Sequence, residues 1–269
     1  MKKLIWTTLL VSGLAGVMAQ SASAQQDTEE SVKKKSTFGI DNGLISISIN
    51  GKDSTTKAKA NHGRFMGGIT LTRLDIGFSR LIDNGSFSLS DKNEFLDYTG
   101  GKTSTVSFDV LQFGYRFDPH FKIYIAGGFD WTMIRLKQNI TLKKNSPTME
   151  YDQEPIVFSK NRLSNSYVHI PLNFELRTKE NTHGKRFYFV FGPEVAFLLN
   201  GKVKQVSKER GKEKFKDDYN FEPFRYGGSL RIGYGGLGIF TKYYFNDMFT
   251  TTAQKGLKNM AFGVTLGLN

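Results

Sequence analysis

From about Phe65 to the end of the chain, apolar side chains recur at every second position, in segments joined by connections that alternate between long and short. In "YVHIPLNFELRT", Val168, Ile170, Leu172, Phe174 and Leu176 share one phase, while His169, Asn173, Glu175 and Arg177 share the other. "RFYFVFGPEVAFLL" puts Phe187, Phe189, Phe191, Val195, Phe197 and Leu199 on one face. The last segment sets Met260, Phe262, Val264, Leu266 and Leu268 against Ala261, Gly263, Thr265 and Gly267. A period of two belongs to a strand, whose successive side chains point to opposite sides of a sheet. Eight strands are predicted, over residues 66–80, 104–117, 120–137, 163–178, 186–201, 223–234, 237–246 and 259–268.

One oily face and one small or polar face would suit a half-buried soluble sheet or a membrane barrel equally well. The connections decide. Strands two and three are joined by "DP", four and five by "KENTHGK", and six and seven by Gly235-Gly236. The other connections run to about 23, 25, 20 and 12 residues. Transmembrane barrels have short periplasmic turns, longer extracellular loops and an even strand count, which leaves both termini inside. The expected fold is therefore all-β, an eight-stranded antiparallel up-and-down transmembrane β-barrel with a flexible periplasmic N-terminal segment. A soluble barrel of the lipocalin type would turn its apolar residues inward and its polar ones outward. Here the face opposite the apolar one carries Asp130, Glu175, Arg177, Glu194, Arg225, Arg231 and Lys242, which reads as a polar network lining the lumen. On the lipid side an Arg or Lys at mid-bilayer would cost about 2–4 kcal/mol. An eight-stranded interior is just wide enough for side chains to fill it, so a plugged barrel without an open pore is expected. The second strand, "VSFDVLQFGYRF", alternates from Val106 to Val110 and then shifts so that Leu111, Phe113, Tyr115 and Phe117 align. That shift predicts a β-bulge.

Ahead of the strands lie two further regions, so that the chain divides into residues 1–24, 25–62 and 63–269. The first has Lys2 and Lys3, an apolar run from Leu4 to Met18 and the small-residue site Ala22-Ser23-Ala24, the features of a cleaved secretory signal peptide. Its apolar run is shorter than the ~20 residues a spanning helix needs. The formal charge of +12 becomes +10 once Lys2 and Lys3 are removed. An exported basic chain has no nucleic acid to meet, and phosphorylated lipid at a bacterial surface is its natural counter-charge. No cysteine is present, which excludes thiolate chemistry and a disulfide framework. Residues 25–62 start with the charged "QQDTEESVKKKS", read as a periplasmic tail. "FGIDNGLISISIN" follows, where Ile45, Ile47 and Ile49 form one isolated strand.

Few motifs carry chemistry. "RIGYGGLGIF" has Gly233, Gly235 and Gly238 in GxGxxG spacing, but a dinucleotide fingerprint opens a helix at its third glycine. After Gly238 the chain continues as "IFTKYYFND", another strand, so the motif is read as a hairpin turning at Gly235-Gly236, with no cofactor. His62, His120, His169 and His183 show no metal-ligand spacing, and no metal site is assigned. A Ser/His/acid set for acyl chemistry could be drawn from Ser166, His169 and Glu175. Six residues of strand separate His169 from Glu175, about 20 Å, and His169 is read as structural. The segment "KVKQVSKERGKEKFKDD" carries Lys202, Lys204, Lys208, Arg210, Lys212, Lys214 and Lys216. It is a solvated loop or a grip on the phosphates of lipopolysaccharide or on an acidic partner. Trp131, Tyr151, Tyr219, Tyr234, Tyr243 and Tyr244 are candidates for an interfacial aromatic girdle.

The segments "KNRLSNSYVHIPLNFELRT", "FGPEVAFLLNGKVK" and "FEPFRYGGSLRIGYG", followed by Tyr243 and Phe249, resemble the PorT-like outer-membrane β-barrel proteins of Gram-negative bacteria over residues 64–269. The resemblance implies an integral outer-membrane barrel, a named relative that assists secretion and surface export, and no catalytic residue. One departure is the ending Leu268-Asn269, where such barrels often finish on an aromatic residue. The functional expectation is a non-enzymatic barrel serving envelope organisation, secretion or surface interaction through long basic loops. A lipid A-modifying enzyme and a small channel are the alternatives.

Overall fold

The computed structural model describes residues 38–41, 44–47 and 64–267. Residues 1–24, read above as a leader, and the final pair Leu268 and Asn269 lie outside this set. Eight long strands follow one another: β1 (Arg64–Asp83), β2 (Ser104–Arg116), β3 (Phe121–Leu136), β4 (Lys160–Arg177), β5 (Phe187–Ser207), β6 (Phe224–Tyr234), β7 (Leu237–Tyr244) and β8 (Leu257–Gly267). Each pairs antiparallel with the next, and β1 is bonded on both edges, with Phe78 opposite Ser104 of β2 and opposite Phe262 of β8. The sheet is thus a closed eight-stranded barrel without a free edge through its middle.

Closure explains the two-residue rhythm. Ile76, Phe113, Ile125, Phe191, Ile239 and Val264 stand on the outer face, while Asp75, Asp109, Asp130, His169, Glu194 and Arg231 are buried inside. A belt of apolar side chains on this scale is stable where lipid tails cover it. Aromatic rings gather at both rims. Phe65, Tyr115, Phe117 and Phe121 contact one another at the end with short turns, and Phe108, Phe129 and Trp131 cluster toward the other. Of the girdle candidates, Trp131, Tyr234 and Tyr243 join such outer clusters. Tyr244 instead points inward, and Tyr219 is buried under the loops. Tyr151 stacks on Phe95 with ring centres 4.9 Å apart.

The expected bulge in the second strand is present. The register of β2 against β3 shifts between Asp109 and Leu111, so Ser107 and Asp109 face the lumen on the crown side of the shift and Gln112 faces it on the periplasmic side. A further irregularity falls between Ser166 and Tyr167, opposite Asn200 and Leu198, leaving Leu199 as an extra residue in β5. Beyond it Gly201, Val203 and Gln205 turn inward.

Residues 38–47 hold two short strands, Phe38–Asp41 and Leu44–Ile47, paired as a hairpin, where the sequence suggested a single isolated strand. Ile45 lies opposite Ile69. The partner strand β8 reaches only Arg73 of β1, so the hairpin meets β1 along the edge left open below that point.

The long connections are folded. Residues 84–103 contain two short 3-10 turns, Asp91–Leu96 and Gly100–Lys102. Ile140–Leu142 pairs with Tyr151–Gln153, and Gly211–Asp217 pairs back onto residues 201–207 to extend β5 into a hairpin. Together with the upper ends of the strands these segments enclose an apolar core that includes Leu81, Leu96, Ile134, Leu163, Phe221 and Leu257. This crown caps the barrel on the side of the long connections.

Candidate functional site

The lumen beneath the crown is filled by charged side chains in tiers. Highest is Arg225 of β6, its guanidinium carbon 3.7 Å from the Tyr167 ring centre and 4.0 Å from that of Tyr244. It is fully buried, and none of its three nitrogens has a hydrogen-bond acceptor among the described residues. Two aromatic faces therefore replace water around this cation, an arrangement favourable once the site is desolvated.

One step lower, Lys242 Nζ lies 2.8 Å from Glu194 Oε1 and 3.3 Å from Asp130 Oδ2. The Tyr244 hydroxyl is 2.8 Å from a carboxylate oxygen of each acid, so its proton is shared between them. His169 Nε2 donates to Asp109 Oδ1 at 2.8 Å, and its Nδ1 is 3.5 Å from Lys242 Nζ. An ammonium group only donates, so in the contact with Lys242 Nδ1 is the acceptor. Gly128 makes room for this ring: a Cβ there would lie 2.7 Å from His169 Nε2 and 1.9 Å from the Phe108 carbonyl oxygen. Asp109 also faces Arg73 Nη2 at 2.6 Å, and Asp75 takes Arg231 at 3.0 Å and Arg73 at 3.3 Å. At the periplasmic mouth Glu175 pairs with Lys122 at 2.9 Å and with Arg177.

The seven residues expected in the lumen thus do not form one unit. Asp130, Glu194 and Lys242 are in direct contact, Arg225 stacks beside them, Arg231 joins Asp75 below, and Glu175 and Arg177 guard the mouth. Between the last two groups lies a cavity of about 360 Å³ open to the periplasmic side, lined by Arg73, Lys122, Glu175, Tyr188 and Arg231 among others.

Two chemical readings of this interior can be tested on geometry. Asp130, His169 and Glu194 present ligand atoms within 4.8 Å of one another, a spacing that suits a cation. The cation there is Lys242, whose Nζ is within 3.5 Å of all three side chains. Ser107 Oγ is 3.3 Å from His169 Nδ1, and Asp109 sits at the other ring nitrogen, an order of groups that resembles a nucleophile, base and orienting acid. Ser107 and His169 are buried, and neither lines the cavity at the periplasmic end. The set imagined from sequence does not assemble: Ser166 bonds the Asn200 carbonyl, and Glu175 belongs to the mouth.

The GxGxxG segment is a hairpin. Tyr234 pairs with Leu237 and Gly233 with Gly238, and Gly235 takes a φ of 61°, which only glycine adopts readily at the first central position of such a turn.

The basic segment is a hairpin with two faces. Lys202, Lys204, Lys212, Lys214 and Lys216 alternate with Val203 and Phe215, which contact the crown core. Lys208 is exposed at the tip, and Arg210 is held 2.9 Å from Glu154. Arg73, Asp75, Ser107, Asp109 and Tyr244 are the interior participants that pattern reading misses. The phase of "TRLDIGF", with Arg73 and Asp75 opposite Ile76 and Phe78 in parity to Leu74, is the signal that would have exposed the first two.

Residues 24–250 match the sequence profile of the family described as outer membrane protein beta-barrel domain. Among solved structures, Ail, the attachment invasion locus protein of Yersinia pestis, crystallised with the heparin analogue sucrose octasulfate, is similar at 14% identity. That alignment covers 77% of this chain and 97% of Ail, with a TM-score of 0.32. No curated protein matches the chain.

Proposed function

This chain belongs to the outer membrane protein beta-barrel domain family, and from that premise we propose that it is a closed, non-catalytic barrel that works through its extracellular crown. Export by the leader of residues 1–24 is part of this reading. The observation that carries it is the stacking of two fillings in one cylinder. An apolar core sits above, an ion-paired cluster around Lys242 sits below it, and the cavity is confined to the periplasmic end. In this reading solutes meet no continuous path among the described residues, and Ser107 lies outside that cavity. What remains free to act is the crown, with its folded loops and basic hairpin, in envelope organisation, surface interaction or, following the resemblance to PorT-like proteins, secretion.

The test is conductance of the purified barrel in planar bilayers. A silent bilayer is expected, and stepwise openings would overturn the reading. The enzymatic alternative draws on the Ser107, His169 and Asp109 arrangement. Lipid A from a deletion strain, complemented with wild type or with His169→Ala, should show one unchanged acylation pattern. A change that depends on His169 would favour the enzyme. Comparing the secreted proteins of the same strains tests the secretion role.

A further inference from the structure

The basic hairpin is one part of a larger charged surface that runs across four strands. Arg135 of β3 lies directly opposite Arg162 of β4. Arg162 lies opposite Lys204 of β5, and Lys204 opposite Lys214 of the returning strand. Residues directly opposite one another share a face, so these four cations form a single row. At about 4.8 Å between strands the row is about 14 Å wide. A second row, two residues nearer the bilayer, contains Lys202 opposite Lys216. On the far side Lys160 and Lys212 both oppose Val206. The intervening residues Leu163, Val203 and Phe215 point into the crown core, which puts all eight cations on the outer wall of the cylinder.

Their height is set by the residues beneath them. Going up the outer face, β3 reads Phe129, Trp131, Met133 and then Arg135. On β4 the apolar series ends at Val168, followed by Ser166, Ser164 and Arg162. On β5 it ends at Phe197 and Leu199, and Lys202 and Lys204 come next. The rows therefore begin where the lipid-facing belt stops, at the level of the outer-leaflet headgroups.

Like charges opposite one another across strands are destabilising. Burial and then the neighbouring cations push Lys160, Lys202 and Lys204 below the ordinary lysine range, and Arg162 is lowered by burial and Arg135. Among the described residues none of these four groups forms an ion pair with a carboxylate, and the leading influences on them are burial and other cations. A surface of this kind is complete only with an anion against it.

We propose that this wall binds the phosphate groups of outer-leaflet lipid headgroups. The inference rests on the barrel reading above and names a ligand for its basic surface. A lipid is favoured over a soluble acidic protein because the rows lie on the side of the cylinder, directly over the apolar belt. An occupant there has its own apolar part in the leaflet. The sequence segment Lys202 to Lys216 supplies five of the cations, whereas Arg135, Lys160 and Arg162 come from two other strands.

The test uses the full mature chain in nanodiscs of zwitterionic lipid doped with bisphosphorylated or dephosphorylated lipid A, with the lipid retained on the isolated protein measured by native mass spectrometry. Wild type should retain the phosphorylated form at least tenfold over the dephosphorylated one. The variant Arg135→Gln, Arg162→Gln, Lys204→Gln, Lys214→Gln should lose that preference. A control with Lys92, Lys102, Lys144 and Lys255 changed to Gln should keep it. Heat-modifiable gel migration confirms that both variants are folded, and the wild-type comparison of the two lipids stands without any variant. Equal retention of the two lipids, preference kept in the wall variant, or tighter binding of inorganic phosphate or polyglutamate would each overturn the proposal. Conductance steps or His169-dependent acylation would overturn the closed, non-catalytic reading alone and leave lipid retention unchanged.

Discussion

The same strands enclose opposite interiors at their two ends. Along β3 the inward positions are Lys122, Tyr124, Ala126, Gly128, Asp130 and Thr132 in the lower part, then Ile134 and Leu136 in the crown. On β4 the inward Glu175, Asn173 and His169 give way to Leu163. The reason lies outside the wall. Above the bilayer the exterior is water, and each apolar Å² moved inward is favoured by about 25 cal/mol. Within the bilayer the exterior is hydrocarbon, so an apolar side chain gains nothing by turning inward. Inward positions there are selected by packing and charge pairing instead. The lesson is that one alternating pattern serves two solvents, and the change of inward chemistry marks the water boundary more sharply than the outer face does.

The largest effect that would sharpen this contrast is in the lower interior. Lys242→Ala leaves Asp130 and Glu194 buried beside each other without their cation, and a broken buried pair costs about 3–5 kcal/mol. Urea unfolding in micelles, followed by Trp131 fluorescence, should show that loss, and much of it should return in Lys242→Met combined with Glu194→Gln. A loss as small as that of a surface substitution would mean that the lumen is wet and the comparison misconceived.

In the crown, Leu163→Ala removes a side chain from the apolar core and should cost about 2–5 kcal/mol. Here the expected outcome is local. Protease added to intact cells should nick the crown, while unboiled and boiled samples still migrate differently. Simultaneous loss of crown and barrel would show that the two regions are one cooperative unit.

A smaller effect separates hydrogen bonding from charge in the lumen. Tyr244→Phe deletes the hydroxyl shared by Asp130 and Glu194, and hydrogen bonds to charged groups contribute about 1.5–3 kcal/mol. The same micelle titration measures it, and an unchanged midpoint would argue that Lys242 alone holds the two acids.

The smallest is a pH effect in the crown. Burial opposes ionisation of Asp83, but hydrogen bonds from Ser90 and Asn93 outweigh it and hold the carboxyl below its ordinary range. A carboxylate depressed by folding adds stability that is complete above its unfolded pKa of about 3.9 and is lost as pH falls through the lower folded value. Ser90→Ala should remove about 1 kcal/mol near neutrality and flatten the acid-side decline in crown protection. Identical acid profiles for wild type and variant would count against that role for Ser90.

Legibility followed periodicity. The eight strands, the alternating connections, the phase shift after Val110 and the outward residues of β4, β5 and β8 are all readable because lipid on one side and a lumen on the other force a period of two. The interior was less legible. Asp109 lies next to the bulge that reverses the phase of β2, and Tyr244 follows another tyrosine, so composition could not say which of the adjacent pair faces inward. The crown was the least legible, because Leu96, Phe221 and Leu257 come from segments with no repeating pattern and meet only when the loops fold over one another.

By itself the chain's alternation determined a closed sheet with an oily exterior and placed Asp130, Glu194, Arg225 and Lys242 within it, because side-chain direction in a strand is a local property that needs no knowledge of neighbours. Which of those charges touch, and that Arg135, Arg162, Lys204 and Lys214 line up into one row, was decided only by tertiary structure. Register joins residues far apart in the chain, and a shift of one position would turn each of them to the other face.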